Sequence, residues 1–170
     1  PVDQWNIDLC VAGSQKCLMC PPGLAAISVG KRAWEAIGKK TVRPPYYFDL
    51  VSISDFASRN ETPFTPAISL YYALDEALKM IQEEGLDKRI QRHAECARAF
   101  YAGFEALGLK PYAVENVRSN TVIAVNLPSG VDGAKVRELM RERYRVVIAG
   151  GLGKIRQLIL RVGCMGIISE

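Results

Sequence analysis

The sequence predicts an α/β fold, on three observations. Short apolar runs at Ile7 to Ala12, Leu24 to Val29, Thr121 to Leu127, Arg145 to Ile148 and Leu158 to Val162 have the length and composition of strands. Longer stretches between them carry apolar residues at alternating spacings of three and four, the signature of helices with one buried face. Glycine and proline stand where the two patterns change over. Strands mixed in this way with helices imply a two-layer α/β unit.

Taken in order, Ile7 to Ala12 and Leu24 to Val29 read as two buried strands around a turn. Gly30 ends the second, Lys31 to Ile37 has the composition of a short helix, and Gly38 to Pro45 is a loop before the aromatics Tyr46, Tyr47 and Phe48. A helix is expected over about Pro66 to Glu84, because proline suits a first turn and Leu70, Leu74, Ala77, Leu78 and Ile81 share a face. Thr65, just ahead of Pro66, is read as its N-cap. Gly85 ends that helix. A second runs over about Leu86 to Leu107 on Ile90, Ala94, Ala97, Tyr101 and Phe104, and Gly108 with Pro111 stops it. Thr121 to Leu127 is extended, a helix lies near Asp132 to Arg143, and strands at Arg145 to Ile148 and Leu158 to Val162 flank a glycine turn. No internal repeat or low-complexity segment is visible.

Composition excludes several classes. With 49% hydrophobic and 24% charged residues the chain can bury a core. Its net charge of +4 is scattered, without a run of five or six like charges, so a nucleic-acid footprint is missing. No apolar stretch reaches the roughly 18 residues that a bilayer span needs, and Asp3 and Asp8 stand where a secretion signal would be basic. Five cysteines, an odd number, then point to reduced thiols and a cytoplasmic protein.

The most informative stretch is Gly13-Ser14-Gln15-Lys16-Cys17-Leu18, followed by Pro21-Pro22-Gly23-Leu24. It presents one lysine from a turn between two strands, where lost solvation would disfavour the charged form and free the amine as nucleophile or base. Cys17 and Cys20 form C-x-x-C, but no second such pair occurs and the only histidine, His93, falls on the polar side of its helix. A metal site is therefore not expected, and both thiols are read as packing beside the turn. Gly150-Gly151-Leu152-Gly153-Lys154 lacks the spacing of a phosphate-cradling P-loop. Arg161 closes an apolar strand, which would hold its planar, forked guanidinium in place to grip a carboxylate; Arg156 reads as a surface residue.

The lysine stretch resembles the active-site motif of class V, fold type I, pyridoxal-phosphate aminotransferases, in the branch of serine–pyruvate and alanine–glyoxylate aminotransferases. Gly150 to Gly153 and Arg161-Val162-Gly163-Cys164-Met165-Gly166 resemble the family's glycine-rich turn and substrate-binding arginine. The resemblance spans nearly all of the chain. It implies the C-terminal part of a fold type I transferase: residues 1–85 as the end of the large cofactor domain and 86–170 as a small α/β domain truncated at its end. The chain thus reads as a fragment, with the partner of the pyridine nitrogen, the aromatic over the ring and the first phosphate loop lying before Pro1.

The same resemblance implies the roles. Lys16 would bond pyridoxal 5'-phosphate and move the proton, Gln15 would lie near the cofactor's phenolic oxygen, and Arg161 would hold the substrate carboxylate. Thr62 would reach the cofactor phosphate of a neighbouring subunit, making the protein a homodimer with a shared active site. Cys164 stands where relatives often carry histidine. In the full-length parent the implied reaction moves an amino group from serine or alanine to glyoxylate or pyruvate, and the fragment alone is expected to be inactive. Alternatives are a class V transaminase using aspartate or 2-aminoethylphosphonate, or a catalytically incomplete remnant that only folds or dimerises.

Overall fold

The first two apolar runs pair with each other. β1 (Leu9–Gly13) and β2 (Ala25–Val29) are antiparallel, in register from Leu9 opposite Val29 to Gly13 opposite Ala25. The structure, a computed structural model, describes residues 2–42 and 44–168. In it this hairpin is not buried: Leu9, Val11 and Ile27 are 52%, 66% and 45% exposed. Apolar, β-branched composition favours the extended backbone, but burial needs a covering layer as well, so the expectation of two buried strands is corrected.

α1 (Lys31–Gly38) follows, its start tied back by Gly30 N–H donating to Asp8 O at 2.7 Å and by Arg32 paired with Asp8 at 2.8 Å. A 3₁₀ turn at Tyr46–Phe48 leads to α2 (Leu50–Ser58), a helix that the sequence reading did not anticipate. Asp49 caps it, accepting from the N–H groups of Val51 (3.0 Å) and Ser52 (3.3 Å). α3 (Ile68–Glu84) begins two residues after Pro66. The residue ahead of it is Ala67, whose carbonyl takes the N–H groups of Leu70 and Tyr71. Thr65 lies too far upstream to cap, and that assignment is corrected.

The chain divides into two compact units, Pro1–Leu78 and Lys79–Glu170, with the division inside α3. Gly85, at φ 85°, separates α3 from α4 (Leu86–Ala106). In the second unit β3 (Val122–Asn126), β5 (Ile159–Gly163) and β4 (Ala149–Gly150) form an antiparallel sheet in the order β3-β5-β4. α4 packs on β3, and α5 (Gly133–Tyr144), capped by Asp132, packs on β4. Mixed helix and sheet make this the α/β architecture expected.

Two local expectations change here. The strand placed at Arg145 to Ile148 is displaced to Ala149–Gly150, because Arg145 takes a left-handed conformation (φ 58°) that closes α5 by donating its N–H to Arg141 O. His93, expected on the polar side of its helix, is 7% exposed, with Nδ1–H donating to Arg89 O at 2.8 Å. The core beside it contains Cys96, Ala97, Tyr101, Ile123 and Cys164, and burial pushes the Cys164 thiol pKa up. Cys164 therefore acts as a small apolar filler. Among the described residues no helix is long and apolar enough to cross a membrane, and no cluster of three His, Cys, Asp or Glu could hold a metal.

An ion cluster anchors the segment after β5. Arg92 grips Glu84 with Nε (2.6 Å) and Nη2 (3.0 Å), while its Nη2 and Nη1 also donate to the carbonyls of Gly166 and Ile168. Arg89, 6% exposed, adds a bond to Glu84 at 2.9 Å. The Arg92 bonds, helped by Arg89 and opposed by partial desolvation, hold the Glu84 carboxyl at about 2 instead of 4.5. A lowered carboxylate pKa contributes stability that is complete above about 4.5 and is lost as pH falls toward about 2. Urea melts followed by circular dichroism should show Glu84→Gln less stable than wild type at pH 6, with the gap closing between pH 4.5 and 2. A pH-independent gap would mean that the carboxylate charge is not what Arg92 holds.

Candidate active site

The lysine turn is organised by Ser14. Its side chain is buried and all of its hydrogen-bonding groups are used on the loop itself: N–H to Leu24 O (3.0 Å), C=O from Cys20 N–H (3.0 Å), and Oγ to Pro21 O (2.7 Å) and from Leu24 N–H (3.2 Å). Those bonds join the end of β1 to the entry of β2 and leave residues 15 to 19 as an outward turn. Within it Lys16 N–H donates to Gly13 O, and Met19 N–H to Lys16 O at 3.0 Å. Met19 has φ 62°, a left-handed conformation costing a bulky residue on the order of 1 to 2 kcal/mol. Ser14 offsets that strain.

Lys16 and Gln15 are both exposed, and neither side chain has a hydrogen bond or ion pair among the described residues. The expected loss of solvation at Lys16 does not occur, since the turn projects beyond the hairpin that carries it. The two cysteines differ: Cys17 is exposed, whereas Cys20 is buried with Sγ donating to Leu18 O (3.3 Å) and Ala73 O (3.5 Å). Packing explains Cys20 only.

Thr62 lies in the same unit, on an open apolar groove of about 380 Å³ shared with Pro66, Ile68, Tyr71, Tyr72 and Asp75. Its hydroxyl donates to Phe64 O at 2.7 Å, so the oxygen lone pairs, not the proton, are turned outward. Phe64 stacks on Tyr47 at 4.8 Å and meets Tyr46 edge-on at 5.3 Å, which ties this segment to the aromatic cluster ahead of α2.

Arg161 lies in the second unit, on the central strand β5, half-buried between the small residues Ala124 and Ala149 on its two neighbours. Nε–H donates to Gly150 O at 2.7 Å, and no other partner exists among the described residues. The glycine turn next to it is explained by this chain's own backbone. A Cβ on Gly151 would stand 2.0 Å from Ile155 O, and one on Gly150 would meet Arg137 Nη1 at 2.8 Å and Arg156 O at 3.1 Å. The close approach that the glycines permit is made toward residues 155 and 156. The Gly150 carbonyl was invisible to sequence reading, because every residue has one and only the strand register aims it.

The model of the family described as aminotransferase class V matches residues 1–161. This chain belongs to the class V aminotransferase family. An uncharacterized aminotransferase of Methanocaldococcus jannaschii is 43% identical over 170 residues, covering 99% of this chain and 44% of the relative. The alanine–glyoxylate aminotransferase of Drosophila melanogaster is 39% identical over 97% of this chain and 43% of its own length. Among solved structures, the alanine–glyoxylate aminotransferase of Nostoc sp. superposes with a TM-score of 0.93 at 33% identity, over 98% of this chain and 45% of that one. The chain spans less than half the length of these relatives.

The class V family implies pyridoxal phosphate, and the donor set of the lysine turn suits it. An unengaged primary amine stands beside an unengaged amide on a turn held by backbone bonds among residues 13 to 24, so an aldehyde can be captured without dismantling the loop. Ser14→Ala leaves the Leu24 N–H without its acceptor and should lower stability by about 1 to 3 kcal/mol. Thr62→Ala, at an exposed site, should stay within about 0.5 kcal/mol. Chemical denaturation of the two variants beside wild type checks both; equal losses would show that Ser14 does not hold the turn.

Proposed function

We propose that the protein carries out pyridoxal-phosphate-dependent transamination between a small amino acid, alanine or serine, and a small 2-oxo acid such as glyoxylate or pyruvate. The observation that carries this reading is the Ser14-pinned turn presenting the unengaged amine of Lys16 in a chain of this family. Lys16 would hold the cofactor through its amine, and the same Nζ, when free, would be the base that takes the proton from the substrate α-carbon. When bound, the cofactor supplies a sink for the electron pair left at that carbon. Gln15 would offer the bound cofactor a neutral amide, which adds no charge.

Arg161 takes the substrate carboxylate. With Nε committed to Gly150 O, its two Nη groups remain as a parallel pair matched to two carboxylate oxygens. Retention of this arginine supports an amino-acid substrate over an aminophosphonate. Residues 1–85 serve as the end of the cofactor domain and 86–170 as the small domain. Thr62 serves a neighbouring subunit's phosphate in a homodimer, its hydroxyl turning away from Phe64 O to donate.

Titration with stoichiometric pyridoxal phosphate tests the reading. With the segment that the family resemblance places before Pro1 joined to this chain, wild type, Lys31→Ala and Lys39→Ala should develop the visible absorption of a lysine-bound cofactor, and Lys16→Ala should not. Retained absorption in Lys16→Ala would remove Lys16 from the centre of the mechanism.

A further inference from the structure

Arg161 is the only guanidinium on the central strand of its sheet, and what orients it is a backbone carbonyl. Nε–H to Gly150 O, at 2.7 Å, fixes the rotation of the guanidinium about its last bonds. The carbonyl in turn is fixed by the glycine pair. Gly150 stands opposite Leu160 in the ladder, while Gly151 passes so close to Ile155 O that any side chain would collide with backbone. On its far side Gly150 is backed by Arg137, whose Nη1 is buried without a partner among the described residues and lies 2.8 Å from where a Gly150 Cβ would stand.

From this we infer that Gly150 is a positioning residue: its carbonyl, braced by Gly151 and Arg137, locks Arg161 so that only the two Nη groups are presented to a ligand. The consequence is a specificity rule that deepens, and rests on, the carboxylate reading of Arg161. A planar carboxylate meeting the guanidinium end-on makes two parallel bonds. A carboxylate approaching along the Nε edge finds Nε occupied, and an amine without a carboxylate gains nothing. Ala124 and Ala149, opposite Arg161 on the two neighbouring strands, each set only a methyl group beside it.

The brace also says how to disturb the lock without removing the arginine. Gly150→Ala pushes on the Arg137 side chain and presses Arg156 O at 3.1 Å, so the backbone that aims the Gly150 carbonyl must adjust. Arg137→Ala in the same chain removes the 2.8 Å contact and leaves only the milder one.

Two measurements test this. In the wild-type chain labelled with ¹⁵N-arginine, the Arg161 Nε–H should exchange with water far more slowly than that of the exposed Arg156; equally fast exchange overturns the lock. In the cofactor-loaded protein, Arg161→Lys should raise KM for alanine about tenfold to a hundredfold while leaving an amine that lacks a carboxylate unaffected. Gly150→Ala should give a smaller, selective rise of about tenfold, with the double variant Gly150→Ala/Arg137→Ala recovering part of it. If Arg161→Lys is selective and Gly150→Ala is not, the positioning role fails and the carboxylate reading stands. If Arg161→Lys itself is not selective, the carboxylate reading fails and the positioning role with it.

Discussion

One serine, with its N–H, carbonyl and hydroxyl all engaged, holds the chemically interesting part of this chain in place. Ser14 ties the end of β1 to the entry of β2 through its N–H, its carbonyl and both functions of its hydroxyl. Because the bonds are all internal, Lys16 and Gln15 are left unengaged on a turn whose path is nonetheless determined. The left-handed Met19 shows the tightness of that closure: an unfavourable conformation for a bulky side chain is sustained because the bonds around it outweigh its cost. A reactive amine is most useful when its own position costs the protein nothing at the moment of reaction.

The second unit solves a related problem by a different route. A backbone carbonyl on the adjacent strand orients the Arg161 guanidinium through Nε and leaves both Nη groups free, as the proposed carboxylate contact needs. Glycine is required there for the approach of backbone to backbone, so a glycine-rich turn that invites a phosphate reading is a packing device between β4 and residues 155 and 156. The Glu84 and Arg92 cluster then fastens the segment after β5 to α4, which steadies the strand that carries Arg161.

Much of this was legible in the sequence where several signals agreed. α4 combined a long three-and-four period with Gly85 before it and Gly108 after it, and the helix expected near Asp132 to Arg143 is α5. The separated lysine and arginine motifs pointed to the family because their order and spacing constrain each other. The misses have specific causes. α2 is rich in β-branched and polar residues, so its period was weak, and only Asp49 marked its start. Thr65 had the right chemistry for a cap at the wrong distance from Ile68. His93 looked polar by sequence neighbourhood, yet the inner face of α4 takes it into the interior, where a backbone carbonyl satisfies one ring nitrogen. Burial of β1 and β2, and with it the desolvation of Lys16, was inferred from composition alone, and composition does not say what covers a strand.

The central claim is that Lys16, among the lysines of this chain, is the one built to carry the cofactor. Borohydride reduction of the protein after loading with pyridoxal phosphate makes that bond permanent, and peptide mass spectrometry then locates it. The account predicts the cofactor mass at stoichiometric yield on the peptide bearing Lys16. An adduct concentrated instead on Lys31 or Lys39 would contradict it.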